Sequence, residues 1–531
     1  MKIVKRRNVL KNLQADSIFS GTLSLTISTL VVKFLGLIYK LPLAGILGDE
    51  GMGYFNSAYT VYAFFYLLCT AGVPKAIMIL ISDAKAKENN NLAREITNVA
   101  FRLFITIGII LTILFTIMST PFAKLIGNTN STYTMIAIAP TILIASISGV
   151  IRGLLSANMM LSDIAISGVI DGVGKLVFGL VFAMLGNQRN LPLHIVSAMT
   201  IFGVTIGSFI GLAYLFVRYK TKISSEKAGQ SEQFDKKHIR KSILSISLPI
   251  TASAAILSIS GVIDLGLIMR SLESIGYTEI ESSALYGNYT TLAVPMFNLA
   301  LSLISPISIA TLPTIATAYA KDDKALIVET ENKALDMTSL IAAPIAIGLT
   351  VFSKEILTLL FKNSNTDIGA HLLIMLTPAI FFSSILMMIN SILESYGYVK
   401  VPMISMLFGG VAKILVSYLL IRNPNVGISG APLGTVISYC IALIISLIIY
   451  SKKTRRSINI LRPLIHFYLP SLIIIVFAKI LYNILFVYIG LVFSLMLSIL
   501  LVGILYSFYI LITVKSNKSK VLKLAKYTNF G

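Results

Sequence analysis

Stretches of about twenty apolar residues, nearly free of charge, recur from Ser17 to Val514, and each is long enough to cross the hydrocarbon of a bilayer. That recurrence constrains the fold more than any other feature. In lipid every backbone polar group needs an internal partner, so only helices and closed barrels span. So little backbone remains outside the apolar stretches that the chain reads as an all-α polytopic membrane protein. The composition agrees: 56% of the 531 residues are hydrophobic and 13% charged, too few charges to cover a soluble chain of this length.

Fourteen spans are expected. Six lie at approximately 17–45, 52–82, 96–118, 132–157, 162–186 and 192–217. Six more lie at 242–270, 283–317, 334–353, 370–397, 401–421 and 427–450, and a final pair at 463–483 and 486–514. The 283–317 span is expected to hold an interfacial turn. No cleavable signal peptide is expected, because the basic N-terminus leads straight into the span Ser17–Leu43.

The formal charge of +21 raises the question of nucleic acid, and the placement of the charge answers it. Basic residues gather at Met1–Lys11, Arg218–Lys241, Lys452–Arg462 and Lys515–Lys526, between or beyond apolar spans. With the N-terminus inside, the opposite side holds only Lys124, Arg189, Arg270, Lys354, Lys362 and Arg422. This is the positive-inside bias, and anionic headgroups account for it without nucleic acid. The expected location is the cytoplasmic membrane, with both termini cytoplasmic. Cys69 and Cys440 fall inside spans, and the four histidines have no ligand spacing, so no disulfide, metal or cofactor is expected.

The chain also repeats itself. Gly172–Val177 matches Gly410–Leu415, each in the fifth span of its six; Gly36-Leu37-Ile38 matches Gly261-Val262-Ile263; and Ala84–Glu88 matches Ala318–Asp322. Six is even, so the halves share one topology, a parallel-repeat architecture used by transporters that alternate access around a site between lobes. The expected organisation is an N-lobe at 1–217, a basic cytoplasmic linker at 218–241, a C-lobe at 242–452, and a final helix pair with a basic tail at 453–531. The chain is expected to act as a monomer.

An ionisable side chain at bilayer depth costs about 2.5–3.5 kcal/mol on insertion scales, so each needs a reason. The candidates for binding an anionic substrate are Lys33, Lys40, Lys75, Arg152, Lys175 and Lys413. Asp171, Asp264 and Glu394 stand against them, the last two as candidates for coupling or gating. Cations outnumber acids, which suits a diphosphate. For several residues a plainer reading stands beside the functional one. Asp171 and Lys175 are four apart and can neutralise each other; Arg152 and Lys40 can snorkel to an interface; Asp264 can pair with a cation or hold a coupling ion. Lys33 sits mid-span with no acid three or four positions away. Lys75 follows Gly72-Val73-Pro74, where a bend is expected.

Several segments carry a resemblance. They are Gly36–Pro42, Gly48–Tyr54, Gly72–Ile77, Tyr286–Tyr289 followed by Pro295 and Asn298, and Leu312-Pro313. Together they resemble the polysaccharide-biosynthesis branch of the MATE-like MOP exporter superfamily, which includes stage V sporulation protein B and the MurJ-type lipid II flippases. The resemblance runs over essentially the whole chain. It implies flipping of an undecaprenyl-diphosphate-linked saccharide to the outer leaflet, with the last two helices forming a groove for the lipid tail; membrane potential, protons and sodium stand as alternative couplings. On the same resemblance Lys33 takes the place of a cavity arginine of the first helix, and Lys40 lies beside the place of a second, at Tyr39. The eighth-helix arginine falls near Tyr289 or Thr290, a departure, and the lysine five positions after the Gly-x-Pro proline is replaced by Ile79, with Lys75 one turn earlier.

Two rival readings differ in kind. A MATE-type cation or drug antiporter should carry cavity acids, which Asp264 offers and the first span does not. A membrane enzyme usually needs a sizeable extramembrane domain with paired carboxylates or a metal cluster, and the outer loops here are short.

Overall fold

Helix forms almost wherever the apolar stretches run, and proline and glycine set where it breaks. The computed structural model describes residues 2–223, 234–320, 324–361, 364–398 and 400–527. Within these the side chains of 2–23, 26, 253, 256, 257, 309, 310, 312–314, 316, 318, 320, 324 and 512–527 are not described. Residues 224–233 of the expected linker, Lys321, Lys362, and the side chains of both terminal basic clusters therefore lie outside the described residues, as do those of Leu312 and Pro313.

The chain divides into two compact units, Met1–Thr291 and Leu292–Gly531. The first contains α1 (Lys2–Thr70), α2 (Val73–Ala86), α3 (Asn90–Ile126), α4 (Thr132–Ile138), α5 (Pro140–Ala157), α6 (Leu161–Gln188), α7 (Leu193–Lys222), α8 (Lys236–Ser274) and α9 (Glu279–Asn288). The second contains α10 (Val294–Ala320), α11 (Lys324–Val351), α12 (Ser353–Leu360), α13 (Thr366–Leu376), α14 (Pro378–Ser395), α15 (Val401–Ile421), α16 (Gly430–Thr454) and α17 (Leu469–Tyr527). Among the described residues eleven helical stretches are long and apolar enough to span. Two of these stretches, Ile27–Ala86 and Leu461–Leu511, are long enough for two crossings each.

Each long stretch turns at one residue. Gly48 has φ 60°, ψ −175° inside α1, and Gly490 has φ 73°, ψ 179° inside α17. That region of backbone space is open essentially to glycine alone. The last pair of spans therefore divides at Gly490, a few residues later than the expected gap after 483, because backbone freedom and not polarity sets the turn.

Proline accounts for the other interruptions. The expected span at 132–157 breaks between α4 and α5 at Pro140, and that at 370–397 breaks between α13 and α14 at Pro378. These are the fourth and tenth spans, so the break recurs at the spacing of the repeat. The bend expected around Gly72-Val73-Pro74 is the gap between α1 and α2, with Pro74 in the first turn of α2, where its missing N–H costs nothing. The interfacial turn expected within 283–317 is instead a π-helical segment, Tyr289–Ala293. It lies immediately before Val294-Pro295, where proline disturbs the ordinary helical ladder.

In the first unit, small residues let backbones approach. A Cβ on Gly174 would lie 2.7 Å from the Cα of Gly207, and one on Gly203 would lie 2.5 Å from the Cα of Gly179, which brings α6 against α7. A Cβ on Gly287 of α9 would lie 2.0 Å from the Asp49 carbonyl oxygen of α1. Small-residue crossings of this kind hold helices together in lipid, where apolar surface gives no preference for protein over solvent.

Candidate functional site

The α6–α7 crossing shapes one wall of a cavity of about 290 Å³ inside the first unit. Asp171 and Lys175 come from α6, Arg152 and Ser148 from α5, Ser208 from α7 and Tyr66 from α1. Lys175 Nζ donates to Asp171 Oδ2 at 2.8 Å, so the two do pair along the helix. Their pairing does not remove them from the cavity, which they both line. Asp171 Oδ1 and Arg152 Nε are buried and bond to no described atom. A buried polar atom without a partner is costly, so both are groups with bonding capacity to give a ligand or water. Two cations against one acid leave the lining net positive.

The remaining candidates are dispersed. Lys75 is exposed on α2, one residue beyond the Pro74 that lines the cavity. Lys33 is exposed on α1, while its neighbour Val32 packs toward Gly172 of α6. Lys40 is half-buried and donates to the Thr290 carbonyl at 3.3 Å. In π-helical register that carbonyl faces the nitrogen of Pro295, which has no hydrogen, so Lys40 supplies a donor the backbone lacks. Asp264 is half-buried on α8, within electrostatic range of Tyr286. Lys413 on α15 and Glu394 at the end of α14 are half-buried in the second unit.

Two polar constellations escape the sequence reading. The first joins α1, α9 and the turn before α4. Asn288 Nδ2 donates to Asp49 Oδ2 at 2.9 Å, and Asn56 Nδ2 donates to the Thr290 and Thr291 hydroxyls at 3.0 and 2.8 Å. Asn128 Nδ2 donates to Ser57 Oγ at 3.0 Å and Ser283 Oγ at 3.2 Å. Gly48-Asp49 and Gly287-Asn288 stand in the quoted motifs, but nothing local says that they meet. The second constellation surrounds Glu331 of α11, which is 4% exposed. It accepts from the Tyr396 and Tyr450 hydroxyls and pairs with Arg456 at 3.2 Å. Arg462 pairs with Asp336 at 2.7 Å and Lys479 with Glu355 at 2.5 Å, so the segment following α16 is tied to α11 and α12 at three points.

Glycine-packed helices, proline-broken spans and a charged cavity inside one unit together define a multi-pass helical membrane bundle. Residues 18–318 match the family described as "Polysaccharide biosynthesis protein", more than half of the chain, and residues 290–419 match the family described as "MatE". The chain belongs to the polysaccharide biosynthesis protein family, within the MOP superfamily of exporters.

The chain is 23% identical over 448 residues to stage V sporulation protein B of Bacillus subtilis (strain 168), covering 84% of this chain and 86% of that one. It is 21% identical over 465 residues to the lipid II flippase MurJ of the same organism, covering 84% and 85%. A solved structure of lipid II flippase MurJ in an inward closed conformation superposes with a TM-score of 0.71 at 18% identity, over 93% of this chain and 99% of that one. The chain is a transporter of this superfamily and not an enzyme.

Proposed function

We propose that this protein flips an undecaprenyl-diphosphate-linked saccharide, such as lipid II or a related polysaccharide precursor, across the cytoplasmic membrane. The observation that carries the reading is the cavity in which Arg152 and Lys175 face a single acid, Asp171. A net-positive lining at bilayer depth attracts a diphosphate and repels a cation. Lys75, exposed one residue beyond the cavity-lining Pro74, is a further cation on the approach. Kinship to stage V sporulation protein B and to MurJ supports the lipid-linked class.

In this reading both termini are cytoplasmic and two six-helix lobes rock to expose the cavity alternately. The hydrogen-bonded contact of α1 with α9 closes the outer side while the substrate loads. Lys33 and Lys413 reach the substrate in other stages of the cycle, and Asp264 and Glu394 serve coupling or gating. The protein is expressed in a bacterium whose only lipid II flippase can be shut off, and lipid II exposure at the outer leaflet is assayed after membrane insertion is confirmed. Restored exposure and growth support lipid II transport. No restoration points to another lipid-linked glycan or to the second reading.

That second reading, a MATE-type cation or drug antiporter, is favoured by the match of residues 290–419 to the MatE family and by the acid Asp264 within α8. It requires drug efflux that dissipates a proton or sodium gradient in proteoliposomes. The flippase reading requires no such efflux.

A further inference from the structure

A row of aromatic rings runs along one face of α1 toward the cavity. Phe55, Tyr59, Tyr62 and Tyr66 follow one another at intervals of four, three and four, which keeps them on one face. Phe55 and Tyr59 are stacked, with centroids 6.2 Å apart and an interplanar angle of 7°. Tyr59 to Tyr62 and Tyr62 to Tyr66 are each 5.7 Å. Eleven helical steps from Phe55 to Tyr66 cover about 16 Å.

Packing explains only part of the row. Phe55 and Tyr62 are each 4% exposed, as core residues are, but Tyr59 is 43% exposed and Tyr66 lines the cavity. Neither the Tyr59 nor the Tyr66 hydroxyl bonds to a described residue. The accessible rings thus alternate with buried ones that wedge them, and the row ends where Arg152 and Lys175 wait.

The carbon-bound hydrogens of a pyranose face are slightly positive and meet the negative face of an aromatic ring favourably, while its rim hydroxyls suit phenol hydroxyls at the ring edge. We propose that Tyr59 and Tyr66, buttressed by Tyr62, form the sugar-binding half of a bipartite site whose other half, Arg152 and Lys175, takes the diphosphate. This rests on the flippase reading and deepens it. The row gives a glycan two stacking positions along the helix, the exposed Tyr59 and the cavity-lining Tyr66, so the sugar passes from one ring to the other.

The test measures binding of two defined lipids to the purified full-length protein in detergent: undecaprenyl diphosphate, and the same lipid carrying one N-acetylglucosamine. The wild type is expected to bind the glycosylated lipid about tenfold more tightly. Tyr59→Leu and Tyr66→Leu are each expected to abolish that preference, Tyr59→Leu while leaving affinity for the bare lipid unchanged, and Tyr59→Phe and Tyr66→Phe to keep most of it. A wild type that binds both lipids equally overturns the sugar-binding role and leaves the flippase reading standing. So do leucine variants that retain the preference, and so does a Tyr59→Leu variant that loses affinity for both lipids alike. A wild type that binds neither lipid removes the flippase reading, and this inference with it. The wild-type comparison and the phenylalanine variants decide the matter even where a leucine variant fails to fold.

Discussion

Lys40 illustrates how a cation in a span acquires a reason to be there. Its ammonium meets the Thr290 carbonyl at 3.3 Å, beside the proline that withholds the backbone donor. Lys40→Leu is therefore expected to cost about 1–2 kcal/mol, the scale of a charge-assisted bond to an orphaned carbonyl. Pro295→Ala restores a backbone N–H, so the double variant should lose less than the sum of the singles. Thermal midpoints of the four proteins in detergent check this; strict additivity would uncouple the residues. Arg152 belongs to a different case, because its Nε is buried with no described partner. Arg152→Ala is expected to keep the folded yield and to lower lipid II exposure at least about tenfold in the complementation assay. Equal exposure at equal expression would remove Arg152 from the site. Glu331 has four bonding partners on three side chains, two of them tyrosines. Its replacement by alanine should cost roughly 3 kcal/mol by leaving Arg456 without its acid, read as a lower thermal midpoint.

At the scale of elements, the contact of α1 with α9 is held by backbone proximity as much as by hydrogen bonds. A methyl group on Gly287 would lie 2.0 Å from the Asp49 carbonyl oxygen and 2.5 Å from the Gly53 nitrogen, so the two helices must separate to admit it. Gly287→Ala is expected to break the Asn288–Asp49 bond and to raise labelling of a cysteine at Thr291 by a membrane-impermeant maleimide. Gly348→Ala, whose new methyl meets nothing within 4 Å, should leave that labelling unchanged. Equal labelling in both variants would show that α1 and α9 are not held this way. The contact also marks the limit of sequence reading. Length, hydropathy and basic clusters locate spans because those signals lie within each segment. The repeat of Gly172–Val177 at Gly410–Leu415 is equally local, and so is the i,i+4 pair of Asp171 with Lys175. The pairing of Asn56 with Thr290 joins residues 234 apart, and that of Glu331 with Tyr450 joins residues 119 apart. Nothing in either segment names its partner. Of the cavity, Arg152 and Lys175 were legible as charges out of place, while the meeting of α5 with α6 that unites them was not.

For the whole molecule, the positive-inside bias predicts a definite result. Alkaline phosphatase fused after Gly531 should be inactive and a fluorescent protein at the same point should shine, because both termini are expected in the cytoplasm. The opposite pattern would invert the topology and with it the proposed direction of loading. The three ties between the C-terminal segment and α11–α12 bear on how such a chain is made. Lys479 lies inside the apolar stretch Leu461–Leu511 and pairs there with Glu355. Its ammonium would be expensive in hydrocarbon without that acid. Ribosomes deliver a polypeptide N-terminus first, so the acids at Glu331, Asp336 and Glu355 have already left the exit tunnel when Arg456, Arg462 and Lys479 are translated. The last helices thus find their counterions already made, and a chain stripped of Glu355 would carry the Lys479 ammonium into the bilayer with no acid to meet it.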